Sequence, residues 1–344
     1  MTADDKDPNH SRIKALTQEL SQLMGPNAKA GMFDEMFTDL AQIGIENPDL
    51  GDHKLIHRTI KELREALNMF LPHRAKRKVA VFGSARISDS HPNYKLAQEL
   101  AQGLASKGYQ VITGAGGGIM EAANQGAGRE KSFGLNINLP HEQSANGFIA
   151  NDPHLLNFKY FFTRKLMFIK ESSATVLLPG GLGTLDEGFE NLTLFQTGKC
   201  MPRPIVLLDH ENDNYWDRWM DVIGSVVVEQ GYASKNDLSL IYRARTAQEA
   251  IDRVTSYYRV FHSLRYAGDL TILRLTQPLP ADRIDELNSE FKDIITKGTL
   301  QATPPHKQEL KNNEHPELPR LSLYFDKSTF GRLNQLIEAI NRTK

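Results

Sequence analysis

Apolar residues recur at two different periods along this chain, and the change of period divides it. From Ser11 to about Leu71 the spacing is helical. Ile13, Leu16, Leu20 and Leu23 share one stripe, and Leu55, Ile56, Ile60, Leu63, Leu67 and Phe70 share another. The pattern predicts a mostly helical N-terminal segment, with the polar and acidic residues 1 to about 10 disordered. Pro72 and the basic residues Arg74, Lys76, Arg77 and Lys78 close this segment and read as a solvated linker.

The middle of the chain alternates short apolar runs with helical stretches. Strands are expected at Val79–Phe82, Tyr109–Thr113, Phe133–Leu139, Thr175–Leu178 and Pro204–Leu208. Helices are expected at Pro92–Lys107, after the turn Gly114–Gly118, at Phe158–Ser172, Leu185–Gln196, Tyr215–Gln230 and Ala247–Val260. Such alternation implies a parallel sheet covered on both faces, that is, a doubly wound α/β fold. Ligands in these sheets sit at the carboxyl ends of the strands, where the turns Gly83–Arg86, Gly114–Gly118 and Pro179–Gly183 all fall. Beyond about His262 the pattern changes. Strands at Asp269–Leu275 and Leu321–Phe325, helices at Ala281–Ile295 and Ser328–Asn341, and a proline-rich loop over Thr303–Pro319 predict a small α+β appendage. The expected division is 1–75, 76–262 and 263–344.

Composition narrows the function classes. Lys plus Arg number 41 and Asp plus Glu 42 in 344 residues, so no overall basic charge recommends nucleic acid or an anionic membrane as partner. The lone cysteine, Cys200, cannot make an internal disulfide or a Cys-based zinc site, and it reads as a small filler residue. With no apolar leader and no membrane-length run, the expectation is a soluble cytoplasmic protein.

Four strings carry candidate chemistry. In Pro179-Gly180-Gly181-Leu182-Gly183-Thr184-Leu185-Asp186-Glu187, glycines let the backbone approach a ligand, and the helix start supplies free N–H groups suited to phosphate. Thr184 and Glu187 also have the spacing of a capping box, which would tie Glu187 to the backbone. Arg164-Lys165 lies in a helix, where adjacent residues diverge by about 100° and meet one ligand only near a helix end or an interface. Gly114-Ala115-Gly116-Gly117-Gly118 is either a packing turn or a nucleotide contact. It fails the dinucleotide fingerprint at Ile119 and is no P-loop. Glu142, in Leu139-Pro140-His141-Glu142-Gln143, could accept bonds from ribose or base, or belong to an ordinary polar loop.

Together these strings resemble the LONELY GUY family, often mislabelled lysine decarboxylase, over roughly residues 79 to 260. The family signature Pro-Gly-Gly-x-Gly-Thr-x-x-Glu stands complete at Pro179–Glu187, and its Arg-Lys pair stands at Arg164 and Lys165. The resemblance implies a Rossmann-like fold that dimerises, with sites near the subunit interface. It implies Arg164 and Glu187 as the catalytic pair and Gly180, Gly181, Gly183 and Thr184 as phosphate binders. Glu142 and Thr193 match nucleotide contacts, and Gly83, Ser84, Gly116, Gly117 and Lys165 complete the expected substrate-binding set. This chain departs from the compact plant-type members in its long terminal segments and in Leu166-Met167-Phe168 after the pair, and so looks more like longer bacterial members.

The implied activity is hydrolysis of the N-glycosidic bond of a nucleoside 5′-monophosphate, of AMP or cytokinin riboside monophosphate type, without metal or cofactor. A carboxylate beneath the ribose would stabilise the cation that forms as the base leaves, so Glu187 is expected to face the pocket instead of capping its helix. Arg164 would hold phosphate or ribose oxygens. The expected partners are a small nucleotide and a second copy of the chain. One alternative is a non-catalytic nucleotide-binding module. The other, a pyridoxal phosphate decarboxylase, has Lys165 as a candidate Schiff base but no convincing pyridine partner.

Overall fold

The computed structural model describes residues 8–23, 30–139 and 144–343, and the chain divides into two compact units, residues 1–64 and 65–344. The first unit holds α1 (Pro8–Leu23), α2 (Ala30–Glu46) and most of α3 (Leu50–Phe70). Helix begins at Pro8, a residue whose missing N–H costs nothing in a first turn, so residues 8–10 are helical where disorder was expected. Residues 1–7 lie outside the described residues. The backbone N–H of Asp52 donates to Asp49 Oδ1 at 3.0 Å at the start of α3.

The second unit opens with alternating elements: β1 (Lys78–Phe82), α4 (Pro92–Ser106), β2 (Gln110–Thr113), α5 (Ile119–Ala127), β3 (Ser132–Ile137), β4 (Leu155–Phe158) and α6 (Phe161–Glu171). It continues through β5 (Ala174–Leu177), α7 (Leu182–Gln196), β6 (Ile205–Leu208), α8 (Tyr215–Val222), β7 (Ile241–Ala244) and α9 (Ala247–Ser256). The seven strands form one sheet in the order β4-β3-β2-β1-β5-β6-β7, every neighbouring pair parallel. The five inner strands are buried along their whole length because both faces are covered. Val79, Val81, Val111, Val176 and Val206 pack under α4, α5 and α9, while Phe82 meets Phe168 of α6 edge-on at 4.7 Å on the other face. The expected doubly wound α/β fold is the one observed. β1 lies between β2 and β5, so the direction of winding reverses there, the place where sheets of this kind bind ligands.

Two core strands differ from expectation. β4 ends at Phe158, where a helix was expected to begin, and α6 starts at Phe161. β7 was not expected at all. Both are four-residue edge strands, only partly buried and therefore without a continuous apolar run.

The remainder forms a four-stranded antiparallel sheet, order β10-β11-β9-β8. It contains β8 (Phe261–Ala267), β9 (Leu270–Leu275), α10 (Ala281–Glu290), β10 (Ile295–Ala302), α11 (Lys307–Asn312), β11 (Arg320–Phe325) and α12 (Phe330–Asn341). The expected α+β appendage is present, with more strand than the sequence suggested. A register shift between Phe261 and Ser263 breaks the alternation of β8, and Gly298 at φ +66° with two further shifts does the same in β10. The proline-rich loop encloses α11, capped reciprocally by His306 and Glu309. α12 is tied to the core: Asn341 Oδ1 accepts from Val260 and Phe261 N–H at 2.8 and 3.0 Å, and Tyr257 donates its hydroxyl to Asn334 Oδ1 at 2.8 Å.

Candidate functional site

The crevice at the carboxyl ends of β1 and β5 is a cleft of about 680 Å³. Its walls include Gly83, Ser84 and Arg86 after β1, Gly114 after β2, and Met120 at the start of α5. Arg164 of α6 and Gly181, Gly183, Thr184 and Glu187 of the α7 turn complete it. This volume lies within the usual range for small-molecule sites.

The backbone stitches these loops together. Ser84 N–H donates to the carbonyl of Pro179 at 3.0 Å, Leu178 N–H to Phe82 at 2.9 Å, and Ile119 N–H to Ser84 at 2.9 Å. Ser84 therefore has its amide committed, leaving its hydroxyl, which accepts from Arg86 N–H at 3.1 Å. Gly180 sits where no side chain fits: a Cβ would come within 2.1 Å of Thr184 Oγ1 and 2.9 Å of Ser84 N. Its carbonyl accepts from the Tyr215 hydroxyl at 2.6 Å. Gly181 and Gly183 instead face open space, with nothing within 4 Å of a Cβ.

α7 begins at Leu182 with Gly181 as its N-cap, earlier than the expected start at Leu185. That shift excludes the capping box, because Thr184 is already inside the first turn and no side chain caps this helix. Gly181, Leu182 and Gly183 of this helix start line the cleft, and the unbonded N–H groups and dipole of a helix start favour an anion.

Glu187 is 3% exposed and lines the cleft. Arg164 Nη2 and Lys165 Nζ each stand 3.7 Å from its Oε1, so the adjacent pair does converge on one group, from the first turns of α6. Oε2 is buried without a hydrogen-bond partner. Burial pushes the Glu187 carboxyl up to about 7, outweighing the opposing pull of Lys165 and Arg164. Burial also lowers the Arg164 guanidinium from its ordinary value. Arg164 lies 5.0 Å above the ring of Phe161, and its Nε is buried and unpartnered. Lys165 is held by Asp186 at 2.9 Å and Glu190 at 3.0 Å as well, and these carboxylates raise its pKa despite burial. An amine so firmly charged is poorly suited to a Schiff base, which needs the neutral form.

The other expected residues fall at different distances from the cleft. Gly116 and Gly117 lie in the turn beside it but do not form its wall. Thr193 is exposed, further along α7 and outside the cleft. Glu142 lies outside the described residues. Among the described residues no group of three or more His, Cys, Asp and Glu is placed to hold a metal.

Three residues were missed. Arg86 is exposed at the cleft, with no carboxylate partner among the described residues. Its position just after the first strand was the available signal. Asn146 donates to the carbonyls of Ala115 and Gly116 at 3.2 and 3.0 Å and to Asn124 Oδ1 at 3.0 Å, fastening a turn in which Ala115 adopts φ +60°. Tyr215 braces Gly180. The partners of both are distant in sequence, and nothing local marks them.

Residues 120–254 match the family model described as possible lysine decarboxylase. The chain is 36% identical over 94 residues to a probable cytokinin riboside 5′-monophosphate phosphoribohydrolase of Oryza sativa subsp. japonica, covering 27% of this chain and 43% of that protein. It is 35% identical over 94 residues to a cytokinin riboside 5′-monophosphate phosphoribohydrolase of Arabidopsis thaliana, covering 27% and 42%. A further rice protein of the same description is 28% identical over 205 residues, covering 58% and 78%. The first two matches thus span less than half of those relatives. Among solved structures, the molybdenum cofactor binding protein of Rippkaea orientalis is similar at 21% identity and a TM-score of 0.38, covering 53% of this chain and 96% of that one. The chain is thus similar over part of its length to cytokinin riboside 5′-monophosphate phosphoribohydrolases, and the family-model match includes the turn that opens α7.

Proposed function

We propose that the protein hydrolyses the N-glycosidic bond of a nucleoside 5′-monophosphate, releasing a free base and ribose 5-phosphate. The observation that carries this reading is the placement of a buried carboxylate, Glu187, on the same helix as an open, phosphate-ready turn. Glu187 stands six positions after Gly181, about 9 Å along a helix. A phosphorylated ribose can bridge that span, its phosphate on the N–H groups at Gly181–Gly183 and the Thr184 hydroxyl, and its anomeric carbon near the carboxylate. Similarity to phosphoribohydrolases supports the reaction class, and the substrate we propose is AMP or an N6-substituted adenosine monophosphate.

In this reading the phosphate grip fixes geometry at the reacting carbon. Glu187, ionised, faces the positive charge that grows on the ribose ring as the C1′–N bond breaks. It then takes a proton from the water that adds to C1′ and returns it to solvent, while the departing base nitrogen, which keeps the electron pair of the broken bond, picks up a proton from solvent. Lys165 and Arg164 favour the ionised form of Glu187 against the pull of burial, and Arg164 also meets substrate oxygens. Arg86 closes the anionic end of the site.

We further propose a homo-oligomer working in the cytoplasm. Phe161, Phe162 and Leu166 of α6 and Phe189 of α7 expose a large apolar face, and such faces mark interaction surfaces. Thr193 lies one turn beyond Phe189, so pairing of this face would bring it toward a second copy. Among the described residues no helix is long and apolar enough to cross a membrane.

The test is incubation of the pure protein with AMP and with N6-isopentenyladenosine monophosphate, followed by chromatography of free bases. Release of adenine or its derivative, lost in Glu187→Gln, is expected. Calorimetric binding of both nucleotides without base release would instead identify a non-catalytic binding module.

A further inference from the structure

The opposite edge of the core sheet carries a second concavity. It forms where the residues leading into β1, β5 and β6 meet β8 of the appended sheet. Two cavities of about 570 and 470 Å³ adjoin there, sharing Arg77, Lys170, Ser173, Tyr258 and His262 as walls. Strands of four or five residues separate them from the cleft, roughly 15 Å of sheet.

The lining is cationic and poorly neutralised. Glu171 is the carboxylate in the wall, and it is already occupied by Lys78 at 3.6 Å and Lys170 at 2.5 Å. Glu317 stands 3.6 Å from His315 at the rim. Arg74, Lys76 and Arg77 in one cavity, and Lys199 and Arg203 in the other, have no carboxylate partner among the described residues.

Two of these cations are held rigidly. The Arg77 guanidinium lies 3.6 Å over the Tyr258 ring and donates to the His262 carbonyl at 2.9 Å. Arg203 is only 3% exposed. Its Nη1 donates to the carbonyls of Ile169 and Ser172, both at 2.9 Å, at the end of α6. Among the described residues its Nε and Nη2 are buried without an oxygen or nitrogen partner, the neighbouring thiol of Cys200 aside, an arrangement that is costly unless a ligand or water satisfies it. His262 registers the local field: burial, then Arg77 and His315, bring its imidazole down to about 4.

We propose that this groove binds a small polyanion carrying two or more linked phosphates, at a site separate from the cleft. The two joined cavities, each with its own unpaired cations, exceed what a single phosphate fills and suit a phosphate chain. A concave groove in a chain of net charge −1 favours a small ligand over a nucleic acid strand. The inference does not depend on the reaction proposed for the cleft.

Calorimetry of the full chain with inorganic tripolyphosphate, at about 0.15 M salt to screen loose surface attraction, tests it. Saturable binding is expected, retained in the cleft variant Thr184→Ala. It should weaken at least about tenfold in Arg74→Glu/Lys76→Glu and again in Lys199→Glu, all at exposed positions that leave the fold intact by circular dichroism. Binding lost in Thr184→Ala but unchanged in the groove variants would place the anion in the cleft and overturn the proposal. So would absence of saturable binding, equal affinity for orthophosphate, or displacement of tripolyphosphate by a short single-stranded oligonucleotide at lower concentration.

Discussion

Arg164 Nη2 lies 3.7 Å from Glu187 Oε1, close enough to be an ion pair and too far to be a hydrogen bond. The pair is thus incompletely made. Both partners are largely buried, and the desolvation of Glu187 exceeds what Arg164 and Lys165 return. A carboxyl left near 7 is poised to change charge over the range in which an enzyme works.

The first prediction follows from that carboxyl. If the ionised form acts, kcat/KM rises as pH increases through about 7 and levels above it. Glu187→Gln should lower kcat by about 10²- to 10⁴-fold and remove this limb. Arg164→Gln withdraws a cation that favours the charged form, so the limb should move to higher pH. A wild-type profile that is flat from acid to alkaline pH would reject the role of Glu187.

The same carboxyl makes a stability prediction. Its folded pKa is raised from 4.5, so the folded state holds its proton more tightly than the unfolded state. Whatever stability that proton confers is complete below about 4.5 and is lost as pH rises through about 7. By linkage the loss is on the order of 3 kcal/mol at most. Thermal melts should therefore show Glu187→Gln gaining on the wild type between pH 5 and pH 8. Parallel melting curves over that interval would contradict the burial argument.

Gly183 sets stability against binding. It lies in the first turn of α7 facing open space. Gly183→Ala should raise stability by about 0.5–1 kcal/mol through helix propensity. If phosphate sits on this turn, the same methyl should raise KM for the nucleotide. Unchanged KM would remove the phosphate from this turn.

Arg86→Ala should raise KM with little effect on kcat, because a cation at the cleft mouth contributes uniform binding. An equal loss in kcat would place Arg86 in the transition state instead.

Asn146→Ala should destabilise the protein by about 1–3 kcal/mol, since it leaves the Gly116 carbonyl of a strained turn without its side-chain donor, although the backbone N–H of residue 146 still serves Ala115. Chemical denaturation measures this directly. A change within experimental error would mean that the turn holds itself.

Sequence alone determined the class of fold and the position of the glycine turn that opens α7. Buried strands in a doubly wound sheet are covered on both faces and so appear as apolar runs, and glycines at strand ends mark where backbone must come close. It missed β4, β7, β8 and β10 because edge position and bulges erase the run or the alternation on which such a reading depends. Only the tertiary structure decided that α7 begins at Leu182, turning Glu187 from a helix cap into a cleft carboxylate. It also decided that Arg164 and Lys165 meet on one oxygen, and that Asn146 and Tyr215 brace turns far away in sequence. Helix registry, burial and long-range hydrogen bonds are products of packing, and packing joins residues that no local pattern connects.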